Sequence, residues 1–211
     1  MTKQITYTQE ILRKLIHMSS LWMVVSLGYL PRSVNTCLFA ALLIIQIAIE
    51  YGHHKKWPIL TATYGRFFGN MLRESEKGKQ FHLSGAPYVL AAALMVTLLF
   101  EKTIAMVALS TMLIGDTFAA LIGRRFGRHK INNGSKSIEG AAAFWLSSVA
   151  VLAFFVITFG KSSAFTIMGA IGITLAMLAE IYEKQVRMDD NFSIPLAMGI
   201  SLSLARFLPL A

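Results

Sequence analysis

Seven apolar stretches, each about as long as a membrane crossing, leave this chain few ways to fold. They run Leu15 to Leu30, Val34 to Glu50, Ser84 to Phe100, Thr103 to Ile122, Ile138 to Phe159, Ser163 to Tyr182 and Phe192 to Leu208. A helix rises about 1.5 Å per residue, so about 20 residues cross a hydrocarbon core of about 30 Å. Backbone groups in lipid must pair within the chain, which selects helices over open strands. With 55% hydrophobic residues and a mean hydropathy of +0.57, the 211 residues lie far outside soluble composition. The expected fold is therefore all-α: one domain over residues 1–211, a polytopic membrane helical bundle of about seven transmembrane helices.

The breaks between stretches carry the charge. Sixteen of the 20 lysines and arginines fall in alternate connections that share one side, and only Arg32, Lys102, Lys161 and Arg206 fall on the other. The positive-inside rule then puts the amino terminus and all the long loops in the cytoplasm. The expected location is a prokaryotic inner membrane, with the working face on the cytoplasmic side. The first apolar run follows Arg13 and Lys14 as a secretory signal would, but it ends in Pro31-Arg32 without a small-residue cleavage pattern, so it reads as an uncleaved helix. The connection Tyr51 to Leu83 is too polar to cross; its aromatic and basic residues suit an interfacial amphipathic helix or a plain loop. The net charge of +9 belongs to these loops and forms no basic face for nucleic acid. Cys37 is the only cysteine and lies in an apolar run, where packing is its role. No internal repeat is visible.

Within this frame one charge is out of place. Asp116 lies inside the fourth stretch, seven residues before Gly123, or about 10 Å below the end of its helix. An intramembrane carboxylate is a functional candidate by default. Ala120 and Gly123 share its face and leave room for a helix or a ligand. Asp116 either pairs with a buried cation or binds a metal, and the basic loop beside it favours metal. Magnesium takes one or two carboxylates together with substrate phosphates and waters. That loop carries Arg124, Arg125, Arg128, Lys130 and Lys136, punctuated by Gly123, Gly127 and Gly134. Guanidinium groups grip phosphate in pairs of hydrogen bonds and lysines act as point charges. Membrane topology alone does not explain why Ser137 and Glu139 follow Lys136 directly into apolar sequence.

Two further groups stand on the same membrane side. Glu10, Arg13, Lys14 and His17 recur at helical offsets and share one face of the first helix. Arg13 and Lys14 double as membrane anchors, while His17 lies deeper, where a neutral imidazole accepts a proton or bonds a neighbouring helix. Asp189, Asp190 and Asn191 open the last stretch, with Pro195 in its expected first turn; such residues cap helices, and paired aspartates also suit a metal. Glu180 lies in apolar sequence near that side, as a supporting carboxylate. The run Gly134-Ser135-Lys136-Ser137 fails as a P-loop, since His129 stands where the first glycine belongs and no lysine follows the second directly.

Four blocks carry a family resemblance: Glu10-x-x-Arg13-Lys14-x-x-His17; Gly115-Asp116-x-x-Ala119 through Gly123 and Gly127 to Lys130; Lys136-Ser137-x-Glu139-Gly140; and Asp189-Asp190-Asn191-x-x-x-Pro195-Leu196. In order and membrane side they resemble the CTP-dependent lipid kinases: dolichol kinase, phytol kinase and yeast-type diacylglycerol kinase. The resemblance implies transfer of the γ-phosphoryl group of CTP to a lipid alcohol at the membrane, with Mg2+ as cofactor and a homodimer among the assemblies it allows. It implies catalytic work for Asp116, His17, Lys136 and Glu139. Nucleotide contacts are implied for Arg13, Lys14, Gly123, Arg124, Gly127, Lys130, Lys136, Ser137 and Asn191, and metal ligation for Asp116, Asp189 and Asp190. The central loop also looks like that of phosphatidate cytidylyltransferase, the alternative reading, but the second acidic, glycine-containing signature of that family is missing. A transporter is a third reading, opposed by the clustering of the charges at one side.

Overall fold

The structure is a computed structural model that describes residues 6–58, 83–131, 136–186 and 188–208. The connection between Tyr51 and Leu83, read as an interfacial helix or a plain loop, falls mainly on residues 59–82 and lies outside the described residues, as do Gly134 and Ser135 of the basic loop. The described elements are α1 (Tyr7–Ser19), α2 (Leu21–Tyr29), α3 (Arg32–His54), α4 (Gly85–Leu99), α5 (Lys102–Phe126), β1 (Lys130–Ile131), β2 (Lys136–Ser137), α6 (Ile138–Phe159), α7 (Ser163–Ile181), α8 (Glu183–Val186) and α9 (Asp190–Leu204), with a 3-10 turn at Ala205–Phe207.

The chain is a helical bundle around α5, which packs against α1, α2, α4, α6 and α9. Leu109, Met112 and Leu113 of α5 are fully buried, together with Phe144, Ile173, Ile194 and Met198 from α6, α7 and α9. The outer flanks expose Ile44, Leu146, Phe154 and Ile157, apolar residues that a soluble protein would not leave bare in such number. Helices α3, α5, α6 and α7 are long and apolar enough to cross a membrane, and α4 is a shorter apolar helix.

Three of the seven expected crossings differ from the simple picture. The stretch Leu15 to Leu30 is split into α1 and α2, because Ser19 and Ser20 turn their hydroxyls onto the Ile16 carbonyl, at 2.6 and 3.5 Å, and compete with helix continuation. Helices α4 and α9 have 15 residues each, about 22 Å of helix. Pro195 falls in the second turn of α9 rather than the first, since the helix starts at Asp190. Having no N–H, it leaves the carbonyl of Asn191 without its helical donor. A fourth difference is the two-stranded antiparallel hairpin β1–β2, with Lys130 opposite Ser137 and Ile131 opposite Lys136. No apolar alternation announces strands this short.

The seam between α5 and α6, the helix that follows the basic loop, is closely packed. A Cβ added at Gly140 of α6 would lie 2.9 Å from the carbonyl oxygen of Ala119, and one at Gly123 of α5 would lie 3.3 Å from the Cα of Gly140. Hydrogen in place of a side chain lets the two backbones touch, the small-residue packing of membrane helices.

Candidate active site at one end of the bundle

Helix α1 begins with a capping box. Thr6 Oγ1 accepts from the Gln9 N–H at 3.3 Å, and Gln9 Oε1 accepts from the Thr6 N–H at 2.8 Å. With its start held, α1 turns one face to α5 and pairs with it at two levels. Arg124 Nη1 donates to Glu10 Oε2 at 2.7 Å, and deeper, Lys14 Nζ donates to Asp116 Oδ2. His17 Nε2 stands 3.4 Å from the same Asp116 oxygen. Glu10, Lys14 and Asp116 are all buried. Asp116 thus has the buried cation partner that its sequence left open, and the partner is a lysine 102 residues away.

Lys136 of β2 donates to Glu180 Oε1 of α7 at 2.5 Å and lies 3.8 Å from Glu183 Oε2. Burial draws the Lys136 pKa down, but the Glu180 carboxylate, helped by Asp190 and Asp116, more than offsets this and holds it above the ordinary lysine value. Lys136 is therefore an ammonium across the physiological range. Carboxylate oxygens of Glu183, Asp189 and Asp190 lie within 4.8 Å of one another. Asp190 lies in the field of Asp116, Glu183, Lys136 and Lys14, so the charges of α1, α5, β2, α8 and α9 form one electrostatic cluster.

The residues singled out by sequence divide into those inside this cluster and those beside it. Lys14, His17, Asp116, Lys136 and Asp190 lie in it, with Arg13 and Arg124 on its rim. Asp189 is the N-cap of α9: its Oδ1 accepts from the Asn191 backbone at 3.0 Å and from Asn191 Nδ2 at 2.7 Å. Its capping role and its place in the carboxylate group coexist, and Asn191 is committed to both aspartates.

Three residues expected to contact phosphate also have packing or capping roles within the chain. Gly123 faces Gly140, a Cβ at Gly127 would clash with Gly123 and Ser137, and Ser137 is buried with its Oγ accepting from the Gly140 N–H at 3.2 Å. Glu139 is likewise engaged locally. Its carboxylate accepts from the N–H groups of Arg128 and His129 at 3.1 and 3.2 Å and meets His129 Nδ1 at 2.7 Å. It folds the basic loop onto the start of α6 rather than entering the cluster. Lys130 is exposed on β1. Glu183 was not singled out by sequence; its signal is its place three residues after Glu180, one turn further along the same face.

Known proteins bear on this arrangement. The chain is 27% identical over 214 residues to a probable chloroplastic phytol kinase of Triticum aestivum, a match covering 93% of this chain and 68% of that protein. It is 27% identical to CTP-dependent diacylglycerol kinase 1 of Schizosaccharomyces pombe, over 71% of this chain and 70% of the relative. A more local match, 34% identical, links 41% of the chain to 16% of the dolichol kinase sec59 of the same yeast. No family model matches the chain. No solved structure matches it either. Three kinds of named lipid kinase, a phytol kinase, a dolichol kinase and a CTP-dependent diacylglycerol kinase, thus converge as relatives of one chain, and their similarity supports a CTP-dependent lipid kinase family for it.

Proposed function

We propose that this protein transfers the γ-phosphoryl group of CTP to the hydroxyl of a membrane lipid alcohol, an isoprenoid alcohol or a diacylglycerol, at the cytoplasmic face. The observation that carries this reading is the joining of Lys14, His17 and Asp116 with Lys136, Glu180 and Asp190 in one charged cluster below a basic loop. Such a cluster lets a water-soluble donor and a bilayer-bound acceptor meet. Phosphoryl transfer asks mainly for alignment and neutralised charge.

The donor atoms fit magnesium. Glu183, Asp189 and Asp190 offer only hard carboxylate oxygens at close mutual distances, and this ion takes few protein ligands beside phosphates and water. Asp189 and Asp190 would hold it with Glu183, whereas Asp116, tied to Lys14, supports the group from below. When bound, the ion neutralises charge on the phosphate oxygens. Lys136 lies between Glu180 and Glu183, where its ammonium meets the γ-phosphoryl oxygens. His17 Nε2 is buried with no hydrogen-bond partner among the described residues, and accepts the proton of the acceptor hydroxyl. Asp116 steadies the imidazolium that results. The acceptor oxygen bonds to the γ-phosphorus, the bond to the β–γ bridging oxygen breaks, and CDP leaves.

The test uses CTP labelled at the α or the γ phosphorus, purified protein in lipid micelles, and a mixture of lipid alcohols with phosphatidate. The proposal expects γ label alone in lipid. Label from the α position alone would establish cytidylyl transfer instead, and no label in lipid from either would remove both reactions.

A further inference from the structure

One carboxylate oxygen at the rim of the cluster serves two guanidinium groups from two helices. Arg124 Nη1 of α5 lies 2.7 Å from Glu10 Oε2, and Arg13 Nη1 of α1 lies 3.8 Å from the same atom. Glu10 is buried, at 8% exposure, and its helix start is held by the Thr6–Gln9 capping box. Arg13 Nη1 is itself buried and has no hydrogen-bond partner among the described residues. A buried guanidinium nitrogen without an acceptor is a costly arrangement, and it is relieved when an anion arrives. Two guanidiniums on one carboxylate leave the group with one excess positive charge.

We propose that Glu10 is a positioning residue for the triphosphate: it draws Arg124 and Arg13 together from separate helices so that both guanidiniums face one phosphate. This rests on the reading that the cluster binds a nucleoside triphosphate. Without Glu10 the two like charges repel, and Arg124, at the last turn of α5 and partly exposed, swings toward water. The ordering is done by the protein before the ligand comes, which lowers the entropy lost on binding. The deeper Lys14–Asp116 pair still docks α1 against α5, so loss of the Glu10 charge leaves the bundle assembled.

The experiment compares wild type, Glu10→Gln, Arg124→Ala and the double variant in detergent. It measures equilibrium binding of CTP and of inorganic triphosphate, the KM for CTP, the KM for the lipid alcohol, and thermal unfolding. Glu10→Gln is expected to weaken CTP and triphosphate binding by about tenfold, the size of one charge-assisted contact. The KM for lipid alcohol and the unfolding temperature stay near wild type. Added to Arg124→Ala, Glu10→Gln is expected to weaken binding by much less than it does alone, because the group it positions is gone. Unchanged CTP affinity in Glu10→Gln, or an equal loss in both backgrounds, overturns the proposal. If wild type binds CTP and follows this pattern but phosphorylates no lipid alcohol, the kinase reading fails and the positioning role stands. If wild type turns over and Glu10→Gln binds CTP normally, the reverse holds. If wild type binds neither CTP nor triphosphate, both fall.

Discussion

Lys14 and Asp116 meet in a buried setting where neither is tolerable alone. Breaking a buried pair from one side leaves an uncompensated charge, at a cost of about 3–5 kcal/mol. Asp116→Asn is therefore expected to lower the unfolding temperature in detergent as well as to reduce turnover, by about 100-fold or more if the carboxylate supports the reaction. Lys14→Met combined with Asp116→Asn removes both charges and recovers most of the stability; activity stays low. A double variant that regains both stability and turnover would show the pair to be structural only. The aspartate stood out in sequence because charge is rare in apolar stretches. Its partner did not, since Lys14 reads equally well as a membrane anchor and nothing local points 102 residues ahead.

At the scale of elements, the seam between α5 and α6 depends on glycines that let the two backbones touch. Gly140→Val would drive methyl groups into the Ala119 carbonyl, which is backbone and cannot rotate away. The expected cost is about 1–3 kcal/mol, read as a lower unfolding temperature. Gly85→Ala is the control, because an added Cβ there meets nothing within 4 Å, and its stability is expected to change by less than about 0.5 kcal/mol. Equal losses in the two variants would contradict the close seam. The bounds of α6 were legible as the apolar run from Ile138 to Phe159; the structure adds that Ser137 caps its start, and that Gly160, at φ 57°, ends it in the left-handed conformation. The break at Ser20 and the hairpin β1–β2 were not, since both depend on hydrogen bonds that apolar periodicity does not encode.

For the whole molecule, the asymmetric distribution of cations sets an expectation of sidedness that can be checked directly. In a Cys37→Ser background, Arg128→Cys is expected to react with a membrane-impermeant maleimide only from the cytoplasmic side, and Lys161→Cys only from the opposite side. Reversed labelling would put the basic loop away from cellular nucleotides and end the kinase proposal. What the chain determined by itself is the membrane, the helices and the cast of charged residues, because hydropathy, cap chemistry and the price of a buried charge are local properties. Only the tertiary structure decided which charges neutralise one another: Lys14 with Asp116, Arg124 with Glu10, and Lys136 with Glu180. It also showed what Gly123, Ser137 and Glu139 do within the chain: helix packing, a helix cap and an anchor for the basic loop. Pairing in low dielectric depends on a few ångströms of separation, and those separations come from how α1, α6, α7 and α9 lean together around α5.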